Sequence, residues 1–320
     1  MTLRIGILGA ARVAVYAMIA AAKDVEGVSI AGVAARDPTR ARTYADEHGI
    51  PHIYPDYQAM ISSPDIDAVY NALPPSLHAR WSIAALEAGK PVLCEKPFTL
   101  TVADTVAMLT AEARTGKLLM EAQHTYYHPR HARIREIVQG GMLGKVRHIS
   151  AEFDVPIPQS PEEIRWNGAV GGGALWDLGV YPLFWLREAM GEEPRLVSAA
   201  HDLHESGADR ATRAMFTFAS GATGSISCSM ERDFAAWLKV EGELGKLFVK
   251  NPLSPPKQTL TLEIKGVISE EVFTGRPTYS FQLEAFRDGV LHGAPVHTRG
   301  ADSLATITLL NEIRTLSAKE

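Results

Sequence analysis

Three residues in two short motifs have side chains that could move a proton: Lys96, Asp177 and Tyr181. Lys96 lies at the centre of Glu95-Lys96-Pro97, which follows the short apolar run 91–94. Such a run is typical of a buried strand, and charged residues at the carboxyl end of a parallel strand open onto the crevice where α/β proteins bind ligands. Pro97 favours an extended backbone at Lys96, which directs the lysine side chain. The alternative is an ordinary charged loop after a strand.

Asp177 and Tyr181 follow a run of three glycines at 171–173. If a helix begins after the glycines, the two residues are four apart and share one face. Pro182 cannot donate a helical hydrogen bond, so we expect this helix to be irregular. A glycine backbone can approach a ligand closely, and an aspartate and a tyrosine beside it form a candidate acid/base pair. The alternative is a helix cap at Asp177 and a half-buried tyrosine.

The elements that must position these residues begin with a dinucleotide-binding pattern at the amino terminus. Residues 3–8 predict a buried strand, residues 9–14 a turn and residues 15–22 a helix. The turn is a relaxed G-x-G-x-x-G, because Ala11 and Ala14 replace the second and third glycines. Gly9 allows the tight turn, and the following helix N-terminus offers N–H groups to a pyrophosphate. The sequence therefore predicts a nucleotide-binding unit here.

The tip of the second predicted strand indicates which nucleotide is bound. Residues 29–34 predict this strand, and Ala35 and Arg36 occupy the tip where NAD enzymes usually place an acidic residue. Arg36 and Arg40 could instead hold a 2′-phosphate through charge-assisted hydrogen bonds. The alternative is that both arginines are solvated residues at a surface turn. We therefore favour NADP over NAD as the cofactor.

The order of the predicted elements indicates two domains. Residues 1–122 alternate strands and helices, which predicts right-handed crossovers and a parallel sheet. From residue 145 onward strands follow one another in series, with hairpin turns at 220–221 and 242–245, which predicts a largely antiparallel sheet. Two helices near 279–291 and 302–316 end the chain. We predict an α/β protein with a Rossmann domain at 1–122 and a second α/β domain at 123–320.

Composition and charge exclude several classes of protein. The chain has 320 residues, a net charge of -5 and a hydrophobic content of 46%. We expect no nucleic-acid or membrane partner, because there is no basic field and no apolar run of about 18 residues. The chain enters its first strand at once, so we expect no signal peptide. Cys94 and Cys228 are expected to be reduced core residues, in keeping with a cytoplasmic protein.

These motifs together resemble the glucose–fructose oxidoreductase/inositol dehydrogenase (Gfo/Idh/MocA) family. The resemblance rests on residues 9–14, Glu95-Lys96-Pro97 and residues 171–181, in the family's order and over nearly the whole chain. It implies a Rossmann domain followed by an α/β domain whose open, mainly antiparallel sheet often forms the subunit interface, here of a homodimer or homotetramer. It also implies that Lys96 lies beside the nicotinamide and the substrate, and that the Lys96-Pro97 peptide is often cis.

Tyr181 stands where many members of the family have histidine. In this it resembles the branch with dimeric dihydrodiol dehydrogenase, NADP-dependent xylose dehydrogenase and glucose–fructose oxidoreductase, in which the tyrosine is the general acid/base. Arg36 and Arg40 also resemble the NADP-preferring members of this branch. At Tyr126 many members of the family have an arginine, so the resemblance implies no substrate contact for this residue. The predicted cofactor contacts are Gly9, Ala10, Ala11, Arg12, Val13, Ala35, Arg36, Arg40, Leu73, Pro74, His78, Glu95, Lys96, His124, Arg165, Trp166 and Tyr279.

The predicted function is a dehydrogenase or reductase that acts on CH–OH groups, or on a CH–CH group if the substrate is a dihydrodiol. Hydride would pass between nicotinamide C4 and a carbinol or carbonyl carbon, with Lys96 and Tyr181 as the proton-transfer pair and Asp177 as an orienting residue. A neighbouring ammonium favours the phenolate and so lowers the pKa of a tyrosine. The substrate would be a sugar, a cyclic polyol or a dihydrodiol, bound by the loops at 155–168 and 230–234. The alternative is a non-catalytic NAD(P)-binding sensor, which would have no need of an acid/base set.

A metal site is the remaining interpretation to be weighed. His124, His128 and His131 lie within eight residues of one another, but Pro129 interrupts the segment and no cysteine or pair of glutamates completes a ligand set. We therefore predict that no metal is bound. His124 could instead line the nicotinamide pocket, and His78 is either a packing residue or a residue on the pyrophosphate side.

Overall fold

A computed structural model of the protein describes residues 1–160, 162–253 and 258–317. The chain divides into two compact units. Unit 1 comprises residues 1–124 and 276–304, and unit 2 comprises residues 125–275 and 305–320. The domain boundary predicted at residues 122/123 stays a prediction, and the units differ from it in one respect. Residues 276–304, which the sequence assigned to the second domain, are grouped with the amino-terminal unit.

Unit 1 is built on a parallel sheet of six strands. All five neighbouring pairs are parallel, in the order β3-β2-β1-β4-β5-β6. The strands are short and mostly buried, as expected for a sheet with helices on its faces. The predicted Rossmann architecture is therefore confirmed. The strands are β1 (Leu3–Leu8), β2 (Val28–Ala34), β3 (His52–Tyr54), β4 (Ala68–Asn71), β5 (Val92–Cys94) and β6 (Leu119–Glu121).

Helices of unit 1 connect these strands, and one more is supplied by the segment that returns near the end of the chain. The first helical run continues from its α-helical start into a π-helix at Val15–Ala20 before it becomes α-helical again. The helices are α1 (Arg12–Ala14), α2 (Ala21–Asp24), α3 (Pro38–His48), α4 (Tyr57–Ser62), α5 (His78–Glu87), α6 (Val102–Thr115) and, after the helices of unit 2, α9 (Thr278–His292).

Unit 2 is built on an eight-stranded sheet in the order β14-β13-β12-β11-β7-β10-β9-β8. Every neighbouring pair is antiparallel except β7 and β10, which run parallel. The predicted mainly antiparallel sheet is therefore confirmed. Its strands are β7 (Val146–Asp154), β8 (Arg195–Leu203), β9 (Asp209–Thr217), β10 (Thr223–Ser229), β11 (Ala235–Gly242), β12 (Gly245–Lys250), β13 (Gln258–Ile264) and β14 (Val267–Phe273).

One face of the unit 2 sheet packs against helices. Helix α8 (Val180–Met190) contacts β7, β10 and β11, and α7 (Pro129–Gln139) packs on α8. Short 3₁₀ turns at Ile164–Trp166 and Gly168–Val170 precede a π-helix at Leu175–Gly179, which continues directly into α8. The last helix, α10 (Ala301–Ser317), lies for the most part in unit 2. Within the described ranges, no helix is long and apolar enough to span a bilayer.

Candidate active site

The register of the parallel sheet brings many of the predicted site residues to one edge. The last residues of β2, β1, β4, β5 and β6 form a single row, in which Leu8 pairs with both Ala34 and Asn71, and Cys94 pairs with Asn71 and Glu121. The segments that follow these residues therefore leave the sheet at the same edge, where parallel sheets bind ligands. The segments that leave at this edge begin at Gly9, Ala35, Ala72, Glu95 and Ala122.

The Glu95-Lys96-Pro97 turn presents one lysine from otherwise buried surroundings. Residues 92–99 are all buried except Lys96. The carboxylate of Glu95 is held on both oxygens, because Oε1 accepts from the hydroxyl of Tyr70 and Oε2 accepts from the backbone N–H of Lys96 at 3.2 Å. Burial, and then the Glu95 charge, raise the pKa of Tyr70 well above its ordinary value, so Tyr70 keeps the proton that it donates. The peptide between Lys96 and Pro97 is cis, as the resemblance implies.

His78 fixes the other side of this turn. Its ring is fully buried, with Nδ1 3.0 Å from the carbonyl oxygen of Pro97 and Nε2 2.7 Å from that of Leu73. Burial lowers the pKa of His78, so the ring is neutral near pH 7. Asn71 completes the arrangement, because its amide nitrogen donates to the carbonyl of His78 at 3.1 Å. His78 thus links the loops that follow β4 and β5, and its predicted contact with the cofactor stays a prediction.

The amino-terminal turn has the geometry that a bound pyrophosphate requires. Gly9 has a φ of 95°, which side chains rarely adopt, and a Cβ there would lie 3.3 Å from the carbonyl oxygen of Ala72. The carbonyls of Ala10 and Ala11 point back to α3, where they accept from Arg40 at 2.9 Å and Tyr44 at 3.0 Å. With its carbonyls held in this way, the turn leads directly into α1. Arg12 and Val13 open this helix.

Arg36 and Arg40 both lie exposed beside the tip of β2, where Ala35 is buried. The hydrogen bond from Arg40 to Ala10 holds its guanidinium next to the nucleotide turn. Asp37 is used differently, because its carboxylate caps α3 by accepting from Thr39 N–H at 2.9 Å. The carboxylate after β2 is therefore a helix cap, and the two arginines remain as the groups that could recognise a phosphate.

His124 and Tyr279 form an aromatic stack at the same edge of unit 1. Their ring centroids are 4.0 Å apart with the planes inclined by 27°. The ring of the exposed Tyr16 also contacts Tyr279, with 5.4 Å between the centroids. His124 Nδ1 lies 2.7 Å from the hydroxyl of Thr278. The structure thus brings together two predicted cofactor contacts that are 155 positions apart in the chain. Leu73 and Pro74 also lie at this edge, in the loop after β4.

In unit 2, Asp177 and Tyr181 lie in one continuous helical run. Asp177 belongs to the π-helix and Tyr181 to the first turn of α8, just before Pro182. The irregularity predicted from Pro182 is therefore confirmed. Asp177 is inside the run and not at its cap, in contrast to the alternative that we weighed from the sequence. The ring of Tyr181 is 7% exposed and packs edge-on against Phe153 at 5.5 Å and against Trp185 at 6.0 Å.

Two of the three glycines before this helix are required by protein packing. A Cβ on Gly172 would lie 2.6 Å from the carbonyl oxygen of Ile164, and one on Gly173, whose φ is 133°, would lie 2.1 Å from Asp209 Oδ1. The other carboxylate oxygen of Asp209 accepts from Leu175 N–H at 2.8 Å and from the Thr212 hydroxyl at 2.5 Å. The atoms closest to these glycines thus belong to the protein. Gly172 and Gly173 therefore anchor the helix that carries Asp177, while the close approach of the glycine run to a ligand stays a prediction.

Arg165 lies beside the carboxylate of Asp177. Its Nη1 is 3.7 Å from Asp177 Oδ2, while its other guanidinium nitrogens donate to both oxygens of Glu163 at 2.7 and 2.5 Å. Trp166 is buried, and its indole N–H donates to the carbonyl of Ile157 at 3.0 Å. Both residues remain predicted cofactor contacts, but they belong to unit 2. The loop that contains them, predicted at 155–168, includes residue 161, which lies outside the described residues.

Sequence reasoning did not identify Tyr70, Asn71 or Asp209. The first two end β4, so their place at the carboxyl end of a buried strand was a signal that could have found them. Asp209 acts on residues more than thirty positions away, and no local pattern marks it. The histidines weighed as metal ligands have other roles, since His128 caps α7 and His131 Nε2 lies 3.1 Å from the carbonyl of Pro252. In the described part of the chain, no cluster of three or more His, Cys, Asp or Glu could hold a metal ion.

Two family models match the chain and together cover most of it. The model for the oxidoreductase family with an NAD-binding Rossmann fold (GFO_IDH_MocA) matches residues 3–123, and the model for the GFO/IDH/MocA C-terminal domain matches residues 131–248. Both sheets of the structure are included at least in part.

Individual proteins show the same similarity. The chain is 35% identical to a dTDP-3,4-didehydro-2,6-dideoxy-α-D-glucose 3-reductase of Saccharopolyspora spinosa, over 83% of this chain and 81% of the relative. It is 31% identical to a D-xylose 1-dehydrogenase (NADP⁺) of Haloferax volcanii, over 96% and 95% of the two chains. Among solved structures, a 3-ketoreductase from Actinomadura kijaniata in complex with NADP and TDP-benzene superposes with a TM-score of 0.92 at 28% identity, over 99% and 98% of the two chains.

The packing at Gly173 yields a prediction about the anchor of the helical run that carries Asp177 and Tyr181. Gly173→Ala combines a strained backbone with a clash against Asp209, so we expect the melting temperature to fall by about 5 °C or more, equivalent to roughly 2 kcal/mol. The matched control is Gly207→Ala, which also has a positive φ but whose Cβ would meet nothing within 4 Å. Calorimetry of both variants measures the difference. Equal losses in the two variants would show that the contact with Asp209 is unimportant.

Proposed function

This chain belongs to the Gfo/Idh/MocA oxidoreductase family, and from this premise we propose that it is an NADP(H)-dependent enzyme that interconverts a carbinol and a carbonyl group. The observation that carries the proposal is Lys96, the one residue of the segment 92–99 that is not buried, held in a turn that hydrogen bonds fix on both sides. A fixed lysine at the ligand-binding edge of a parallel sheet is suited to act on a bound substrate. A sensor would have no need of it.

The residues at the edge of unit 1 fit NADP. The turn at Gly9 and the start of α1 would hold the pyrophosphate, and Arg36 and Arg40 would hold the 2′-phosphate. Glu95, His124 and Tyr279 lie at the same edge and are proposed to surround the nicotinamide. The bound cofactor supplies hydride exchange with the substrate carbon. The protein supplies the fixed positions and the proton.

We propose that Lys96 and Tyr181 act on the same substrate oxygen. In the oxidation direction the phenolate of Tyr181 would take the hydroxyl proton, and in reduction the phenol would return it. The ammonium of Lys96 would favour the phenolate form and hold the substrate oxygen. Asp177, with Arg165 3.7 Å from it, would orient the substrate hydroxyls. Arg165 would thereby hold the Asp177 carboxylate in place.

The proposed substrate is a polyhydroxylated compound: a sugar, a keto-sugar, a cyclic polyol or a dihydrodiol. Two of the similar proteins are by name a dTDP-sugar 3-reductase and a D-xylose dehydrogenase, which supports a sugar. The half-exposed pair of Asp177 and Arg165 offers both hydrogen-bond acceptors and donors, as hydroxyl groups require. The direction of the reaction in the cell follows from which of the two forms of the substrate is present.

The open face of the unit 2 sheet supports a homo-oligomer. Met215 and Phe248 lie in one cross-strand row with Ser225, Ser150 and Lys239 between them, on the face opposite to α8. The two apolar side chains are 52% and 39% exposed. Apolar side chains on a broad sheet face are typical of a surface that a second copy covers. We propose a homodimer or homotetramer through this face.

The proposed reaction is tested first with the unmodified protein. Aldoses, inositols, keto-sugars and dihydrodiols are offered with NADP⁺ or NADPH, and nicotinamide absorbance is followed. We expect turnover with at least one compound. With that compound, we expect Lys96→Met and Tyr181→Phe each to lower kcat by about 10²-fold or more, and the double variant to lose little beyond the single ones, because residues that act as a unit are not additive.

The pH dependence distinguishes a catalytic Tyr181 from a packed one. Tyr181→Phe keeps the ring contacts with Phe153 and Trp185 and removes only the hydroxyl group, which carries the exchangeable proton. The pH–rate profile should lose the limb that the tyrosine and lysine share, with little change in melting temperature. A variant with near-normal kcat and an unchanged profile would exclude the role of Tyr181. Absence of turnover with every compound would favour the sensor.

The choice of NADP over NAD depends on the two exposed arginines. We expect Arg36→Ala combined with Arg40→Ala to raise the Kd for NADPH about 30- to 150-fold, equivalent to roughly 2–3 kcal/mol of charged hydrogen bonds, and to leave the Kd for NADH almost unchanged. Fluorescence titration measures both constants. Arg42→Ala is the control, because Arg42 is an exposed arginine on α3, the helix that also contains Arg40. Equal losses for the two cofactors would show that the arginines act on the fold or on shared atoms.

The oligomer is tested by the mass in solution. We expect the native protein to have two or four times the chain mass of 34.8 kDa, and Met215→Glu combined with Phe248→Glu to lower it to that of one chain, because two charges would be buried against apolar surface. Light scattering after gel filtration measures the mass. Val267→Glu, at the exposed start of β14, is the control and should leave the mass unchanged. A native mass of 34.8 kDa would contradict the proposed interface.

A further inference from the structure

An exposed phenylalanine marks the edge of the unit 2 sheet at which β7 and β10 end and β11 begins. Phe234 immediately precedes β11, and its side chain is 56% exposed. Single exposed apolar residues are common on protein surfaces, so exposure alone implies nothing. Phe234 differs from them in two respects: its contacts lead to Tyr181, and the loop that carries it is held by hydrogen bonds.

The contacts of Phe234 lead directly to Tyr181. Its ring packs edge-on against Phe153, with 6.4 Å between the centroids, and Phe153 packs edge-on against Tyr181 at 5.5 Å. Phe153 and Tyr181 are buried. Phe234 is therefore the exposed end of an aromatic cluster whose interior end is the proposed acid/base. A molecule placed with a hydroxyl at Tyr181 would have its neighbouring atoms within reach of this cluster.

The first part of the loop that carries Phe234 is held by hydrogen bonds. The hydroxyl of Ser229 accepts from the N–H groups of Glu231 and Arg232 at 3.1 and 3.2 Å. The guanidinium of Arg232 makes two bonds to the buried carboxylate of Asp154, at 2.6 and 2.9 Å. An exposed aromatic ring on a fixed loop binds a ligand without first losing conformational entropy. The ring is thus a preorganised surface.

The charged and polar groups near Tyr181 are complementary to such a surface. Asp177 and Arg165, on the helical run and the loop before it, offer hydrogen bonds to hydroxyl groups. The face of an aromatic ring carries negative charge density, which attracts the weakly positive C–H groups of a saturated ring. A ring with hydroxyl groups at its rim and C–H bonds on its face satisfies both partners. An open-chain polyol has no such face.

We propose that Phe234 is a specificity-determining residue that packs against the C–H face of a cyclic substrate, such as a pyranose sugar, while Tyr181 exchanges the proton. This inference rests on the proposed function and adds the requirement that the substrate be cyclic. Of the two reactants, Phe234 contacts the substrate and not the cofactor, so it contributes to KM and to the choice of substrate. It makes no contribution to the proton transfer or to cofactor binding.

The experiment compares cyclic and open-chain substrates in Phe234 variants. The probes are D-xylose and D-glucose, which are pyranoses in solution, and D-glyceraldehyde, which has no ring, each with NADP(H). We expect Phe234→Ala to raise KM for the best pyranose about three- to tenfold, with kcat changed less than twofold. Phe234→Trp should restore KM to within about twofold. The Kd for NADPH, the melting temperature and the glyceraldehyde kinetics should not change.

The control and the outcomes are distinct from those of the proposed function. Val267→Ala removes another exposed apolar side chain of the same sheet and should leave every KM unchanged. Turnover by the native enzyme with an unaltered pyranose KM in Phe234→Ala would overturn this inference and leave the proposed function intact. Turnover with glyceraldehyde alone would also overturn it. If the native enzyme turns over no compound of the larger panel, the proposed function fails, and the inference fails with it.

Discussion

The fixed turn after β5 is the feature on which the proposed chemistry depends. Lys96 can be held in one place only because its neighbours are buried and hydrogen-bonded, with Tyr70 on the Glu95 carboxylate and His78 on the Pro97 carbonyl. A buried carboxylate and a buried imidazole are costly unless partners satisfy them. Here the Glu95 carboxylate accepts from Tyr70 and from the backbone N–H of Lys96, and a ring N–H of His78 donates to a backbone carbonyl. The same bonds that stabilise these groups therefore set the position of the lysine.

In unit 2 a single carboxylate, that of Asp209, fixes the helix that carries Tyr181. Asp209 of β9 binds the backbone at Leu175 and fills the space beside Gly173, so the start of the helical run is fixed to the sheet. The run from there to Tyr181 is continuous. In both units a buried acidic side chain whose own role is structural positions a residue that is proposed to move a proton. Replacing either acid would remove partners from buried groups, so a substitution at Gly173 is a cleaner test of the anchor than one at Asp209 itself.

The sequence predicted the parallel half of the fold more completely than the rest. Alternating apolar strands and helices are a strong local pattern, and β1 and β2, predicted at 3–8 and 29–34, lie within one residue of those bounds. The segments that were missed have weak patterns. Strand β14 (Val267–Phe273) lies at the edge of its sheet and is largely exposed, so its sequence has no need of buried residues and contains Ser269, Glu270 and Glu271 in succession. Helix α7 (Pro129–Gln139) was missed because Arg130, His131, Arg133 and Arg135 interrupt its apolar stripe.

The candidate site was predictable where a residue follows a strand and unpredictable where it depends on distant contacts. Glu95, Lys96 and the two arginines after β2 were found because the ends of parallel strands are known positions. The role of the glycine run could not be found in this way, because Asp209 and the carbonyl of Ile164 reach it only after the sheet has formed. The aromatic cluster of Phe153, Tyr181 and Phe234 is likewise assembled from β7, α8 and the loop before β11. A loop of substrate contacts was expected at 230–234, but no pattern in it marked which side chain would face the site.

The protonation states around Lys96 limit which groups can give the enzyme its dependence on pH. Burial raises the pKa of Tyr70 and lowers that of His78, so near neutral pH the first stays protonated and the second stays neutral. The depressed pKa of His78 contributes stability above the ordinary histidine range, and this stability is lost as the pH falls through the pKa of the folded state. Acid would therefore loosen the turn that holds Lys96, and a loss of activity at low pH that parallels a loss of melting temperature would belong to this network. A change of rate at neutral or alkaline pH, without a change in stability, must arise from the groups that contact the substrate.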